Sequence, residues 1–124
     1  MLEREFNKCL LESVDETLST LGDSSKQAIY YHLKMSFHIE KRKIPTQIAA
    51  FANAMENIFG FGANSLETQI IKRLYKKLGR KFEGHIPRTT KFVDYIESAR
   101  RRLAGGIKKT EEGFIQWEKN IIET

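Results

Sequence analysis

Apolar residues recur at intervals of three and four along nearly the whole chain, and this spacing commits it to helices. Leu2, Phe6, Leu10, Val14, Leu18 and Leu21 fall on one stripe of a helix of 3.6 residues per turn. Gly22 follows the stripe and suits a left-handed C-terminal cap. Ser24 and Gln27 stand at capping-box spacing and open a second helix. Its apolar face is Ile29, Leu33 and Phe37, with Tyr30 alongside. Residues 38–44 read as a polar, basic stretch ending at Pro45, a residue well placed in a first helical turn. Ile48, Phe51, Met55, Ile58 and Phe59 form the cleanest stripe, which Gly60-Phe61-Gly62 breaks. Asn64 with Glu67 is spaced to cap a fourth helix that buries Leu66, Ile70, Ile71, Leu74 and Leu78 and stops at Gly79.

Residues 80–88, with Gly84 and Pro87, read as a connector. Thr89 or Thr90 opens a fifth helix, with Phe92, Ile96, Ala99 and Leu103 on one side and Gly105-Gly106 ending or kinking it. Thr110 caps a last helix, and Glu111 and Glu112 face its positive end. Phe114, Trp117 and Ile121 form its apolar face. Ile115 and Ile122 widen that face to an arc of about 160° at 100° per residue. Lys81–Ile86 is too short to decide between strand and coil. The fold class expected is all-α, a compact bundle of four helices with a one- or two-helix C-terminal extension. Residues 1–80 form the bundle and 81–124 hold the basic helix and the C-terminal amphipathic helix, together one cooperative domain of ordinary size.

Charge is segregated along the same chain. Residues 1–25 carry six acids against Arg4 and Lys8, a net of −4. Residues 72–109 carry thirteen Lys and Arg against Glu83, Asp94 and Glu97, a net of +10, and the last fifteen residues return to −3. Such a block attracts a polyanion or an acidic protein surface. The candidate binding residues are Lys72, Arg73, Lys76, Lys77, Arg80, Lys81, Arg100, Arg101, Arg102, Lys108 and Lys109. The competing reading is a solvated face with cations at helix C-termini. Tyr75 and Phe82 lie near the block, at spacings that serve base stacking or a core equally. The acidic ends also offer themselves to the basic block of a second subunit.

Chemistry-bearing constellations are sparse. His32 and His38 are six residues apart and His85 stands alone in the connector, which is not metal-ligand spacing. The one cysteine, Cys9, lies on or beside the first apolar stripe. It rules out an internal disulfide framework and fits a reducing cytoplasm. Asp15–Glu16 and Glu111–Glu112 are adjacent pairs whose side chains diverge by about 100° on a helix. The stretch around Gly60 has too long a linker for a helix-turn-helix. It also lacks the preceding strand and Gly-Lys-Ser/Thr of a phosphate loop. Tyr30, Tyr31 and His32 are consecutive, so one of the tyrosines is expected near a surface. No apolar run reaches the roughly 18 residues of a membrane span. The acidic, periodic start is not a signal peptide. No catalytic residue, metal site, cofactor or membrane contact is expected.

Residues 18–79 resemble a small archaeal domain family, an output domain of signalling proteins with no established activity. The resemblance rests on Ser25-Lys26-Gln27-Ala28-Ile29-Tyr30-Tyr31-His32-Leu33. It rests also on Ile58-Phe59-Gly60-Phe61-Gly62-Ala63 and Ile70-Ile71-Lys72-Arg73-Leu74-Tyr75. These are packing motifs. The resemblance implies a helical regulatory or adaptor module in an archaeal cytoplasm, and it assigns no catalytic residue. The leading expectation is a non-enzymatic regulatory or scaffold domain acting through protein contacts, as a homodimer joined through Phe114, Trp117 and Ile121. The alternative is nucleic-acid binding by the basic face of residues 72–109.

Overall fold

The computed structural model describes residues 2–79 and 91–106. Five α-helices run in chain order: α1 Leu2–Ser19, α2 Asp23–Phe37, α3 Ile48–Phe59, α4 Ala63–Lys77 and α5 Phe92–Gly106. A short 3-10 helix, Lys41–Thr46, precedes α3, and a single 3-10 turn, Gly60–Gly62, joins α3 to α4. The described residues form no strand, and the all-α bundle is as the apolar spacing predicts. None of their helices is long and apolar enough to cross a membrane.

The stripes read from the sequence face one core. Phe6, Leu10, Val14 and Leu18 of α1 are buried with Ile29 and Leu33 of α2, Phe51 and Met55 of α3, and Ile70, Ile71 and Leu74 of α4. The most extensive pairing is α1 with α4. Ser13 and Thr17 are buried on α1 as well, and the Ser13 hydroxyl donates to the carbonyl of Cys9 at 2.8 Å. This back-bond satisfies a polar group inside the stripe. Leu21, expected at the end of that stripe, is exposed.

The fifth helix is a wall of the bundle, not an appendage to it. It packs on α1, α3 and α4. Phe92, Ile96 and Ala99 are buried, and the Phe92 ring lies 6.5 Å from that of Phe51. Helices α1 to α4 leave an apolar surface around Phe51, and burying it against α5 is favourable. Of the expected 81–124 extension, this helix is therefore core, while the C-terminal helix lies outside the described residues.

Two expected capping boxes are absent. Helix α2 starts at Asp23, and the carbonyl of Gly22 accepts from Lys26 N–H at 2.9 Å. Gly22 sits at φ 99°, ψ 151°, a region open to glycine, and the turn starts the helix before Ser24 can cap it. Helix α4 starts at Ala63, because the backbone stays right-handed from Phe59 through Gly62 except at Gly60. Asn64 is thus already helical, and Glu67 points inward rather than back to a cap. The stretch after α2 also departs from its polar reading. His38 takes a left-handed conformation and Ile39 N–H donates to the carbonyl of Leu33 at 2.9 Å. This left-handed turn at the helix end drops Ile39 into the core, and Ile44 and Pro45 follow from the 3-10 helix.

Candidate functional site

Four polar clusters are built on this frame. The first is a seam between α1 and α4. Glu12 and Glu16 are one turn apart on α1, and Arg73 and Lys77 are one turn apart on α4. Lys77 Nζ lies 2.7 Å from Glu16 Oε2 and 3.8 Å from Glu12 Oε1, and Arg73 Nη1 lies 3.6 Å from Glu16 Oε1. The hydrogen bond to Glu16 raises the pKa of Lys77. Such partly exposed pairs contribute roughly 0–1 kcal/mol each, so the seam sets register more than stability.

The second cluster surrounds Arg100 on α5. Its guanidinium donates to Pro45 O at 2.6 Å, to Glu3 Oε2 at 3.2 Å, to Glu97 Oε1 at 3.2 Å and to Asn7 Oδ1. It also covers the ring of Phe6, 4.9 Å from the centroid. The side chain is only 14% exposed. Arg100 was expected on a binding face, and it instead clamps α5 to α1 and the 3-10 helix. Its five donors in a fixed fork suit it to several acceptors at once.

On the exposed side of the basic block, Lys72, Lys76 and Arg101 face solvent and join no ion pair among the described residues. Tyr75 is buried, so it cannot stack on a base. The side chain of Arg102 and all of Arg80, Lys81, Phe82, Lys108 and Lys109 lie outside the described residues, as do Phe114, Trp117 and Ile121. The first helix therefore meets Arg73, Lys77 and Arg100 of the basic block within one chain.

A neighbouring knot forms at Asp15. It accepts from Tyr30 Oη at 2.8 Å, and Lys41 and Lys26 lie at 3.2 and 3.4 Å. Burial alone would raise the Asp15 pKa, but the hydrogen bonds from Tyr30 and Lys41 outweigh it and the net direction is down. Burial and the Asp15 carboxylate push the Tyr30 phenol up. The next residue, Tyr31, is exposed, as the run of three polar aromatics requires. An open cleft of about 630 Å³ runs past Tyr30, Tyr31, Lys34 and Arg42.

The fourth cluster surrounds Glu67, which its spacing from Asn64 marks only as a capping residue. Glu67 is 8% exposed, and its Oε2 is buried with no hydrogen-bond partner among the described residues. It lines a cleft of about 420 Å³ with Glu56, Gly60, Phe61, Ala63 and Asn64. Burial, then the charge of Glu56, pushes its carboxyl up to about 7. The raised value means the folded state holds a proton that the unfolded state releases near pH 4.5. Stability therefore falls as pH rises from about 4.5 to about 7 and is level above that. Glu67→Gln should stabilise the protein by about 1–3 kcal/mol at pH 8 and hardly at all at pH 4.5. Urea denaturation at the two pH values measures the difference.

Histidines and the thiol complete the inventory. His32 stacks edge-on against Phe37 at 5.4 Å and its Nδ1 lies 3.0 Å from Ser36 Oγ. Cys9 is half-buried, and burial pushes its pKa up, which makes it a poorer nucleophile. The described residues hold no group of three His, Cys, Asp or Glu that could bind a metal ion. Comparison with protein families, with curated proteins and with solved structures finds no match. The functional reading rests on the side chains themselves.

Proposed function

We propose that this chain is a non-enzymatic regulatory or scaffold domain of the cytoplasm that acts through protein–protein contacts and assembles as a homodimer. One observation carries the reading. Part of the charge asymmetry that points to a polyanion is met inside the molecule, with Arg73, Lys77 and Arg100 paired to acids of α1. What faces solvent instead includes large apolar side chains: Tyr31 and Met35, one turn apart on α2, and Phe61 on the α3–α4 turn. Aromatic and Met side chains on a surface are typical of protein interfaces. The resemblance of residues 18–79 to archaeal signalling output domains supports the same role. The dimer contact proposed for the expected C-terminal helix is Phe114, Trp117 and Ile121, a stripe too broad and aromatic to leave wet.

A second reading survives on Lys72, Lys76, Lys91 and Arg101, cations of the 72–109 block that are exposed among the described residues. If the basic block binds phosphates, affinity for duplex DNA should fall steeply with salt, because bound counterions are released. Sedimentation equilibrium and a mobility-shift assay separate the two. The dimer reading expects a dimer at tens of micromolar, a folded monomer for Phe114→Ala with Trp117→Ala, and no shift of duplex DNA at moderate salt. A monomeric wild type that retards duplex DNA, with Lys72→Glu and Lys76→Glu abolishing retardation, would replace it with the nucleic-acid reading.

A further inference from the structure

We propose that the cleft between the C-terminus of α3 and the start of α4 is a receptor for one arginine side chain presented by a protein partner. The proposal rests on the reading of this chain as a protein-contact module and names the chemistry of one contact.

Three independent features converge there. First, Glu67 lines the cleft, and its buried Oε2 has no partner among the described residues, on a residue more than nine-tenths buried. A buried polar group left unpaired is costly, and native structures rarely keep one without a use. Second, the surroundings are electronegative. Glu56 stands in the last turn of α3, a turn with no basic residue, so the negative end of that helix is reinforced rather than neutralised. The N-terminus of α4 adjoins the same cleft and partly offsets this. The Glu67 carboxyl is nonetheless pushed up, so burial and Glu56 prevail. Third, the rim carries Phe61, fully exposed on the Gly60–Gly62 turn. Gly60 has φ 58°, a left-handed value that favours glycine, and the chain reverses there in a way that holds Phe61 outward.

A planar cation fits all three features. Guanidinium is weakly hydrated, pairs with a carboxylate through two N–H donors and stacks on an aromatic face. Asn64, also on the lining, offers a further acceptor. A metal ion fits less well, because the cleft supplies only two carboxylates and the described residues hold no group of three His, Cys, Asp or Glu, while a hard cation gathers several oxygen ligands. A neutral ligand would leave the Glu56 and Glu67 charges opposed.

The test is amide NMR on the full chain at pH 8, titrated with acetyl-Gly-Arg-Gly-amide. Two control peptides carry citrulline or lysine in place of arginine. The arginine peptide should give saturable shifts centred on Gly60–Asn64, with a dissociation constant of order 1 mM. The citrulline peptide should give none, and the lysine peptide should bind at least threefold more weakly. Glu67→Gln, which is expected to fold with added stability, should weaken the arginine peptide at least tenfold, and Phe61→Ala about threefold. Absence of saturable shifts at Gly60–Asn64, equal binding by citrulline, or undiminished affinity in Glu67→Gln overturns the proposal. The dimer measured by sedimentation stands or falls separately, so a failed titration leaves the broader reading intact and a monomeric chain leaves the cleft result readable.

Discussion

Replacing Arg100 by alanine is expected to lower unfolding stability by about 2–4 kcal/mol, far more than a surface arginine contributes. The side chain is 14% exposed and bridges three elements: Glu3 and Asn7 on α1, Pro45 in the 3-10 helix, and Glu97 on its own helix. Truncation leaves the Pro45 carbonyl without its donor and uncovers the Phe6 ring. Lysine cannot recover this, because one ammonium has three donors at a single point and cannot replace a fork that reaches four acceptors. Arg100→Lys should therefore regain less than half of the loss. The adjacent Arg101 is exposed, and its alanine variant should stay within about 0.5 kcal/mol of wild type. Urea denaturation of the three variants measures this, and equal losses at positions 100 and 101 would remove Arg100 from its structural role.

Phe51→Ala should cost about 3–5 kcal/mol, the range for emptying a fully buried aromatic site. Phe51 has no exposed surface and touches Phe92 of α5 across the core. The loss should reach α5 as well as α3. Hydrogen exchange at Tyr95–Ala99 should then accelerate in step with global unfolding, as expected of one cooperative unit. If α5 were merely appended, those amides would exchange independently of the substitution.

The two variants mark the boundary between what could be read from the chain and what could not. Phe51 is plain in the sequence, because it sits in the Ile48–Phe51–Met55 stripe and a helix has only one way to hide such a stripe. Phe92, Ile96 and Ala99 are plain for the same reason, although periodicity does not say against which helix they pack. Arg100 is opaque. Nothing local distinguishes it from Arg101, and what separates them is 100° of rotation about α5 together with the arrival of Glu3 and Pro45 from distant parts of the chain. Ile39 and Ile44 were hidden by their charged neighbours, since residues 38–44 have neither helical nor strand period. They are buried because a left-handed His38 redirects the backbone.

Glu67 shows the same division at the candidate receptor cleft. Its spacing from Asn64 matches a capping box, a signal carried by four residues. The box fails because the preceding turn is already helical in sense, which moves Asn64 inside the helix and turns Glu67 toward the core. The sequence by itself determined five helices in the described residues, the glycines that punctuate them, and the apolar face of each. These follow from short-range periodicity and backbone sterics. Only the tertiary structure decided which charges meet. The acidic first helix and the basic block are about sixty to one hundred residues apart along the chain, and long-range pairing depends on how the apolar faces dock. That docking drew Arg73, Lys77 and Arg100 of the basic block into contacts with α1, and among the described residues it left the buried Glu67 Oε2 without a partner.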